Sequence, residues 1–295
     1  MNLIEEAAKR LRQLEAAGVA RTTHASHETP EAFETHPRRV VADAGKRPVE
    51  PRPAPARTLD LARLQASGLI TPALQHSKLL QEFRLIKRPL IKHALGRSET
   101  QASNRNLIMV TSALPNEGKT FVAINLAMSL AMEVDCRVLL VDADVLVPAI
   151  TQVLRIEPAK GLMDVLTGTG IPLRETILNT NVERLSLLLA GTPHANAAEF
   201  LASDAMTRVL SELSSRYPDR IVVFDSPPLL ATTESRALAT HMGQVIVAVE
   251  AQRTTHATLE SALSTVESCP VVYTLLNKTP ESRVGSYHGA YAYGS

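Results

Sequence analysis

The chain has 295 residues, of which 45% are hydrophobic and 3% aromatic, and its 31 basic residues nearly balance its 30 acidic ones. A core of ordinary size is therefore expected, whereas a net charge of +1 and the absence of Trp argue against nucleic acid as a partner. The two cysteines lack CxxC spacing, and the N-terminus carries charges every few residues instead of a signal-peptide core. These features predict a cytoplasmic protein.

Residues 1–20 are expected to form an amphipathic helix, because Ile4, Ala7, Leu11 and Leu14 recur at spacings of three and four. The seam is too short to distinguish packing on the same chain from docking to another protein. Residues 21–78 are interpreted as a Pro-rich disordered linker that contains the run RPVEPRPAPAR.

A basic amphipathic helix follows the linker in the segment HSKLLQEFRLIKRPLIKHALG. Its apolar side is expected to hold Leu79, Leu80, Phe83 and Ile86, and Pro89 is expected to break it. Its positive charge faces either a partner or water.

Six apolar runs alternate with helix-compatible stretches along the rest of the chain: LIMVTS, RVLLVDA, LSLLLAG, RIVVFDS, QVIVAVE and VVYTLLN. Such alternation is typical of an α/β fold, with a mostly parallel sheet flanked by helices. We therefore predict one α/β domain over residues 79–283, followed by a flexible tyrosine-rich tail over residues 284–295.

A strand, a turn-forming loop and a helix are predicted in succession in LIMVTSALPNEGKTFVAINLAMSL. This is the context in which GKT indicates a phosphate-binding P-loop, although Ala113 stands where the pattern GxxxxGK[ST] has its first glycine. Gly118 lets the backbone approach phosphate oxygens, Lys119 supplies positive charge, and Thr120 offers a hydroxyl to Mg²⁺. The segment predicts a P-loop NTPase fold that binds ATP and Mg²⁺.

Acidic residues end two of the predicted strands: Asp142 and Asp144 follow RVLLV, and Asp225 follows RIVVF. A single Asp after a strand is usually a helix cap or turn residue. The carboxyl ends of parallel strands meet at one edge of a sheet, however, so all three are expected beside the P-loop. Asp225 is placed to hold Mg²⁺, and Asp142 or Asp144 to assist the metal or orient a nucleophile.

Three motifs, SALPNEGKT, LLVDAD and VVFDSPPLL, resemble those of the bacterial tyrosine kinases (BY-kinases), which are P-loop autokinases of exopolysaccharide production. The resemblance runs from about Leu79 to the C-terminus. The N-terminal helix and linker are similar to those of stand-alone autokinases found beside exosortase-type systems, whose membrane activator is a separate chain.

The resemblance implies a function for each site residue. Lys119, Asp142 and Asp144 are the implied catalytic residues, with Asp142 taking the proton of the tyrosine hydroxyl. The implied metal ligands are Thr120, Asp144 and Asp225. The implied nucleotide-binding residues are Pro115, Asn116, Glu117, Gly118, Lys119, Thr120, Phe121 and Asn277.

The tail contains three of the five tyrosines of the chain, Tyr287, Tyr291 and Tyr293, among small residues. Such a segment is also what an unstructured terminus looks like. The resemblance implies that these tyrosines are phosphoacceptors for a neighbouring subunit. It further implies a homo-oligomer, possibly a ring, the cytoplasmic part of a membrane polysaccharide co-polymerase and a tyrosine phosphatase as partners, with recruitment to the inner face of the membrane.

Two segments depart from the family pattern. Basic residues commonly follow the second acidic motif, whereas here Val145, Leu146 and Val147 precede a proline. An E-x-x-R-x-x-R helix of relatives aligns with Gln81, Arg84 and Lys87, which keeps only the central residue.

Two other functions are consistent with the same motifs. A ParA/MinD-like ATPase shares the fold, but its loop carries an additional early lysine that residues 113–117 lack. A nucleotide-binding scaffold that no longer transfers phosphate is the other, and the apolar segment after Asp144 favours it.

Overall fold

An eight-stranded sheet organises the part of the chain that the computed structural model describes, residues 56–74, 77–96, 104–216 and 220–280. Its strands are β1 (Ala56–Arg57), β2 (Leu107–Ser112), β3 (Arg137–Asp142), β4 (Leu178–Thr180), β5 (Leu185–Leu188), β6 (Arg220–Asp225), β7 (Gln244–Glu250) and β8 (Val272–Asn277). The order across the sheet is β1-β4-β5-β3-β6-β2-β7-β8. Every pair is parallel except β4 with β5.

Helices cover both faces of this sheet. They are α1 (Leu61–Ala66), α2 (Lys78–Leu95), α3 (Lys119–Ala131), α4 (Ile150–Leu154), α5 (Leu162–Leu166), α6 (Leu173–Thr176), α7 (Ala197–Leu201), α8 (Asp204–Arg216), α9 (Thr233–Ala239) and α10 (His256–Ser264). None of the helices in the described ranges is both long and apolar enough to cross a membrane.

Side chains of successive strand residues enter two separate core layers, as the pleat of a strand requires. In β2, Leu107 and Met109 pack in the layer that contains residues of α5, α7 and α8, whereas Ile108 and Val110 pack in the layer that contains residues of α2 and α3. A sheet buried on both faces explains why its strands read as continuous apolar runs. The predicted α/β class, the mostly parallel sheet and the six predicted strands are confirmed.

The end of the predicted linker is ordered, which corrects its boundary at residue 78. Strand β1 pairs with β4, and both Leu59 and Ile70 are buried. The Asn181 side chain brackets Leu59, accepting from its N–H at 2.8 Å and donating to its carbonyl at 3.0 Å. Asn125 Oδ1 accepts from the Ile70 N–H at 2.7 Å. The domain therefore includes residues 56–74, while the predicted helix of residues 1–20, the linker up to residue 55 and the tail lie outside the described residues.

Helix α2 passes through Pro89 without a break, so the predicted interruption is wrong. Pro89 lies on the exposed side, where water can serve the carbonyl that a proline leaves without a donor. On the opposite side Leu80 and Phe83 are buried and Leu79 and Ile86 are partly buried, which confirms the predicted apolar side.

Lys87 is the unexpected member of the buried face of α2, since its side chain is only 5% exposed. Its Nζ donates to the Ser129 carbonyl at 2.6 Å and pairs with Glu133 Oε1 at 2.7 Å, which joins α2 to α3. A buried ammonium needs such partners, because desolvation of the charge is costly. Lys87 aligns with the third position of the relatives' E-x-x-R-x-x-R helix, and here it makes contacts within its own domain. Gln81 and Arg84, at the first two positions, are exposed.

We expect Lys87→Ala to lower the free energy of unfolding by about 2–3 kcal/mol, because it removes the buried Lys87 ammonium and its ion pair with Glu133. The Glu133 carboxylate is half-exposed and stays hydrated in the variant. Arg88→Ala, on the exposed side of the same helix, should change it by less than about 0.5 kcal/mol. Urea unfolding of the two variants measures the difference. Equal stabilities would contradict the assignment of Lys87 to the core.

Candidate active site

The loop after β2 takes the backbone conformation that a phosphate-binding loop needs. Asn116 and Gly118 have φ values of 68° and 94°, in the left-handed region. A φ of 94° is strained for any residue with a side chain, and a Cβ at Gly118 would also displace the side-chain amide of Asn277, so glycine is favoured there. Helix α3 begins at Lys119, and its free N-terminal amides and dipole favour an anion at the loop.

Glu117 holds this loop from inside the protein, since its side chain is buried. One carboxylate oxygen accepts from the Leu114 N–H at 2.7 Å, and the other accepts from the Thr254 hydroxyl. Thr254 lies in the segment after β7, so this contact connects two neighbouring strand ends. Glu117 was predicted to bind nucleotide, and the structure shows it supporting the loop.

The end of strand β8 holds the same loop through the last strand residue and the residue that follows it. Asn277 Nδ2 donates to the Glu117 carbonyl at 2.9 Å, and Lys278 Nζ donates to the Asn116 carbonyl at 2.6 Å. Asn277 was predicted as a site residue, whereas Thr254 and Lys278 were missed. Both follow apolar strands that end at the P-loop edge, the same signal that identified the aspartates.

The three predicted carboxylates lie at this edge of the sheet. Asp142 and Asp225 end the adjacent parallel strands β3 and β6, where they are register partners, and both are fully buried. Asp144 follows two residues later, and its Oδ2 lies 2.6 Å from Lys119 Nζ. The P-loop lysine is therefore brought to the carboxylates, as the sequence predicted.

Burial determines how these carboxylates titrate. Burial, followed by repulsion from Asp225, raises the pKa of Asp142 to about 8. Burial also raises the pKa of Asp225 to about 6, although the Lys119 ammonium and the nearby Thr120 hydroxyl oppose the rise. At neutral pH the free protein therefore holds a proton on Asp142.

Several buried polar atoms at this edge have no hydrogen-bond partner among the described residues: Asp142 Oδ1, both carboxylate oxygens of Asp225, and Ser226 Oγ. Buried oxygens without donors fit a cation, because its charge offsets their desolvation. The described residues hold no group of three or more His, Cys, Asp or Glu side chains arranged as a metal cage. Mg²⁺ needs none, since one or two carboxylates with waters and nucleotide phosphates usually suffice.

The remaining predicted site residues lie in the P-loop, in the first turn of α3 and in the tail. Pro115 is exposed beside Asn116, and Phe121 is partly buried against the core layer below α3. Thr120 is the second residue of α3, and its hydroxyl lies near Asp225, whose pKa it lowers. Tyr287, Tyr291 and Tyr293 lie outside the described residues.

Comparison with known proteins agrees with this geometry. An AAA-domain family model matches residues 107–278, from the strand before the P-loop to the residue after β8. The chain belongs to this family of AAA-domain proteins, whose P-loop fold implies nucleotide binding.

The chain is also similar to named tyrosine-protein kinases. It is 31% identical to the tyrosine-protein kinase ptk of Acinetobacter johnsonii over 62% of this chain and 25% of that protein. It is 29% identical to YwqD of Bacillus subtilis over 63% of this chain and 76% of that protein. Among solved structures, the VpsO kinase domain is 29% identical, with a TM-score of 0.55 over 66% of this chain and 96% of that domain.

These relatives confirm the resemblance to bacterial tyrosine kinases that the sequence motifs predicted. The chain spans about a quarter of the length of the Acinetobacter protein and three quarters of the Bacillus one. The narrower resemblance to exosortase-associated autokinases stays a prediction.

We expect Thr254→Val to weaken ATP binding roughly tenfold, because it removes a hydroxyl donor from the buried Glu117 carboxylate and loosens the loop. Thr240→Val is the matched control, since its hydroxyl donates only to the Ala237 carbonyl at the end of α9. Titration calorimetry with ATP measures both. A lower melting temperature with unchanged ATP affinity would show that Thr254 supports the fold and not the nucleotide loop.

We expect Asp142→Asn to stabilise the metal-free protein at pH 8 more than at pH 5. The folded protein keeps the Asp142 proton up to about pH 8, whereas the unfolded chain loses it near pH 4. The folded state thus binds more protons between these values, so this residue makes the wild type less stable as pH rises.

The neutral amide avoids that loss. The stabilisation by Asp142→Asn should be at least about 1 kcal/mol larger at pH 8 than at pH 5, which corresponds to about 2–4 °C in melting temperature. Thermal melts in chelator at both pH values measure it. A pH-independent difference between variant and wild type would contradict the raised pKa.

Proposed function

We propose that this protein is an ATP-dependent tyrosine autokinase that transfers the γ-phosphoryl group of ATP to tail tyrosines of a neighbouring copy. The observation that carries the proposal is the meeting of Lys119 with Asp142, Asp144 and Asp225 at the P-loop. The similarity to tyrosine-protein kinases over more than half of the chain supports it.

The proposed division of work rests on the family resemblance and is supported by the positions of the residues. The P-loop amides and Lys119 bind the phosphates, and Thr120, Asp144 and Asp225 would hold Mg²⁺. The cation would supply positive charge to the phosphates and to the carboxylates that lack donors. Positioning and charge neutralisation provide most of the rate in phosphoryl transfer.

Asp142 is proposed to receive the proton of the tyrosine hydroxyl. Tyr ionises near pH 10, so the proton leaves only as the new O–P bond forms and the bond to ADP breaks. Asp142 must be deprotonated at that moment, whereas the free protein keeps it protonated near neutral pH. Activity should therefore require conditions that lower the pKa of Asp142.

The partners and location belong to this proposal and rest on the family resemblance. They are a second copy in a homo-oligomer, the cytoplasmic part of a membrane polysaccharide co-polymerase that activates and recruits the kinase, and a phosphatase that resets the tail. The process served would be exopolysaccharide synthesis or export.

We expect the full-length protein to label itself with phosphotyrosine in Mg²⁺ and ATP, and Lys119→Met to abolish the labelling. The variant loses the charge next to the phosphates and the partner of Asp144. Lys160→Met is the matched control, because the Lys160 side chain is 59% exposed and pairs with the buried Asp164, not with a carboxylate at the P-loop. Immunoblotting for phosphotyrosine and melting curves distinguish lost catalysis from lost folding.

The tail assignment is tested in the same assay by replacing Tyr287, Tyr291 and Tyr293 together with Phe. Labelling should fall to background while ATP binding stays unchanged. Full labelling of this variant would show that other residues are the acceptors. No labelling of the wild type, even with its membrane activator present, would reject the kinase and favour a nucleotide-binding scaffold.

A further inference from the structure

The segment between Asp142 and α4 forms a closed loop over the candidate active site. It leaves β3 at Asp142 and returns to it, because the Ile150 N–H donates to Asp142 Oδ2 at 3.2 Å. Asp144 Oδ1 accepts from the Val147 N–H at 3.3 Å, which shapes the turn. The tip of the loop, at Leu146 and Val147, is therefore held next to the carboxylates of the site.

This tip is apolar and exposed. Leu146 is 52% and Val147 71% exposed, and Val153 on α4 is 36% exposed. These are three of the eight large hydrophobic side chains exposed in the described part of the chain, and they lie within eight residues. Residues 145–154 include no charged side chain at all. Isolated exposed apolar residues are ordinary, but a group beside an active site indicates a binding surface.

The chain itself contains a segment of matching chemistry. Residues 284–295, VGSYHGAYAYGS, include no Asp, Glu, Lys or Arg and consist mainly of small residues and tyrosines. Tyrosine rings bury much apolar surface while their hydroxyls stay polar. A charged peptide would form no ion pairs with this uncharged surface. The uncharged segment 284–295, in contrast, can pack its tyrosine rings against it.

We propose that Leu146 and Val147 form a docking surface for residues 284–295 of a second copy of this chain, and so select an uncharged tyrosine segment as substrate. The proposal rests on the proposed function and identifies which part of the site recognises the acceptor. It assigns a role to the departure from basic residues after Asp144.

The sheet order favours a second copy over the same molecule. Strand β8, after which the tail follows, is separated from β3 by β7, β2 and β6. A tail that reached the loop after β3 within one molecule would have to cross the P-loop, which follows β2 and holds the nucleotide. A tail from another copy can approach from the side of β5 without crossing it.

The test separates donor and acceptor in full-length chains. The donor carries the three Tyr→Phe changes and cannot be labelled on its tail, and the acceptor carries Lys119→Met and cannot transfer phosphate. The rate of tail labelling is measured against acceptor concentration, with the donor in small amount. All signal then reports transfer between copies.

Leu146→Ser with Val147→Ser in the donor should raise the KM for the acceptor roughly tenfold, because two apolar contacts are lost. The kcat should stay within about twofold and the ATP affinity unchanged. Val134→Ser is the matched control, since Val134 is 75% exposed in the turn after α3. Melting curves confirm that each donor is folded.

A charge exchange gives an independent test. Val147→Lys in the donor should disfavour the natural tail, and an acceptor with Ala290→Glu and Ala292→Glu should restore labelling by that donor. An unchanged KM in the double Ser donor, or no restoration by the Glu tail, would overturn the docking surface while the kinase stands. No labelling by the unaltered donor would reject the proposed function, and the docking surface with it.

Discussion

The burial of two carboxyl groups side by side is the constraint on which the site depends. Parallel register places Asp142 opposite Asp225 at the ends of β3 and β6, and both side chains are fully buried. Such a pair is unfavourable unless one carboxyl keeps its proton or a cation approaches. In the described part of the chain, the ammonium paired with this cluster is that of Lys119, and it contacts Asp144. The remaining oxygens without donors leave the site short of positive charge, which a Mg²⁺ ion bound with the nucleotide would supply under the proposed function.

A nucleotide-binding loop must keep its shape when no ligand balances its charges. Here residues at the ends of neighbouring strands hold it in place. Asn277 and Lys278 donate to successive loop carbonyls, and Thr254 donates to Glu117. These contacts use loop carbonyls and the Glu117 carboxylate and occupy none of the loop amides. They also connect the loop directly to the end of β8, through Asn277 and Lys278.

The sequence predicted those features that depend on a period or a motif in one stretch of chain. Six apolar runs became six strands, and the rule that parallel strands end at one edge collected the three aspartates. Contacts between distant segments were missed. Strand β1 exists because β4 pairs with it, and Lys87 is buried because α3 presents a carbonyl and Glu133. Neither partner is visible in the local pattern.

Under the proposed docking, the apolar loop after Asp144 would favour the unphosphorylated tail over the phosphorylated one. Basic side chains there would bind a phosphorylated tail more tightly than an unphosphorylated one, whereas Leu146 and Val147 are uncharged and exposed. A phosphorylated tyrosine carries about −1.5 to −2 charges. In the proposed docking, that charge would be unfavourable beside an apolar tip and near three carboxylates, so each transfer would weaken the fit of the tail to the site. Release of the labelled tail would then follow from the same residues that selected it.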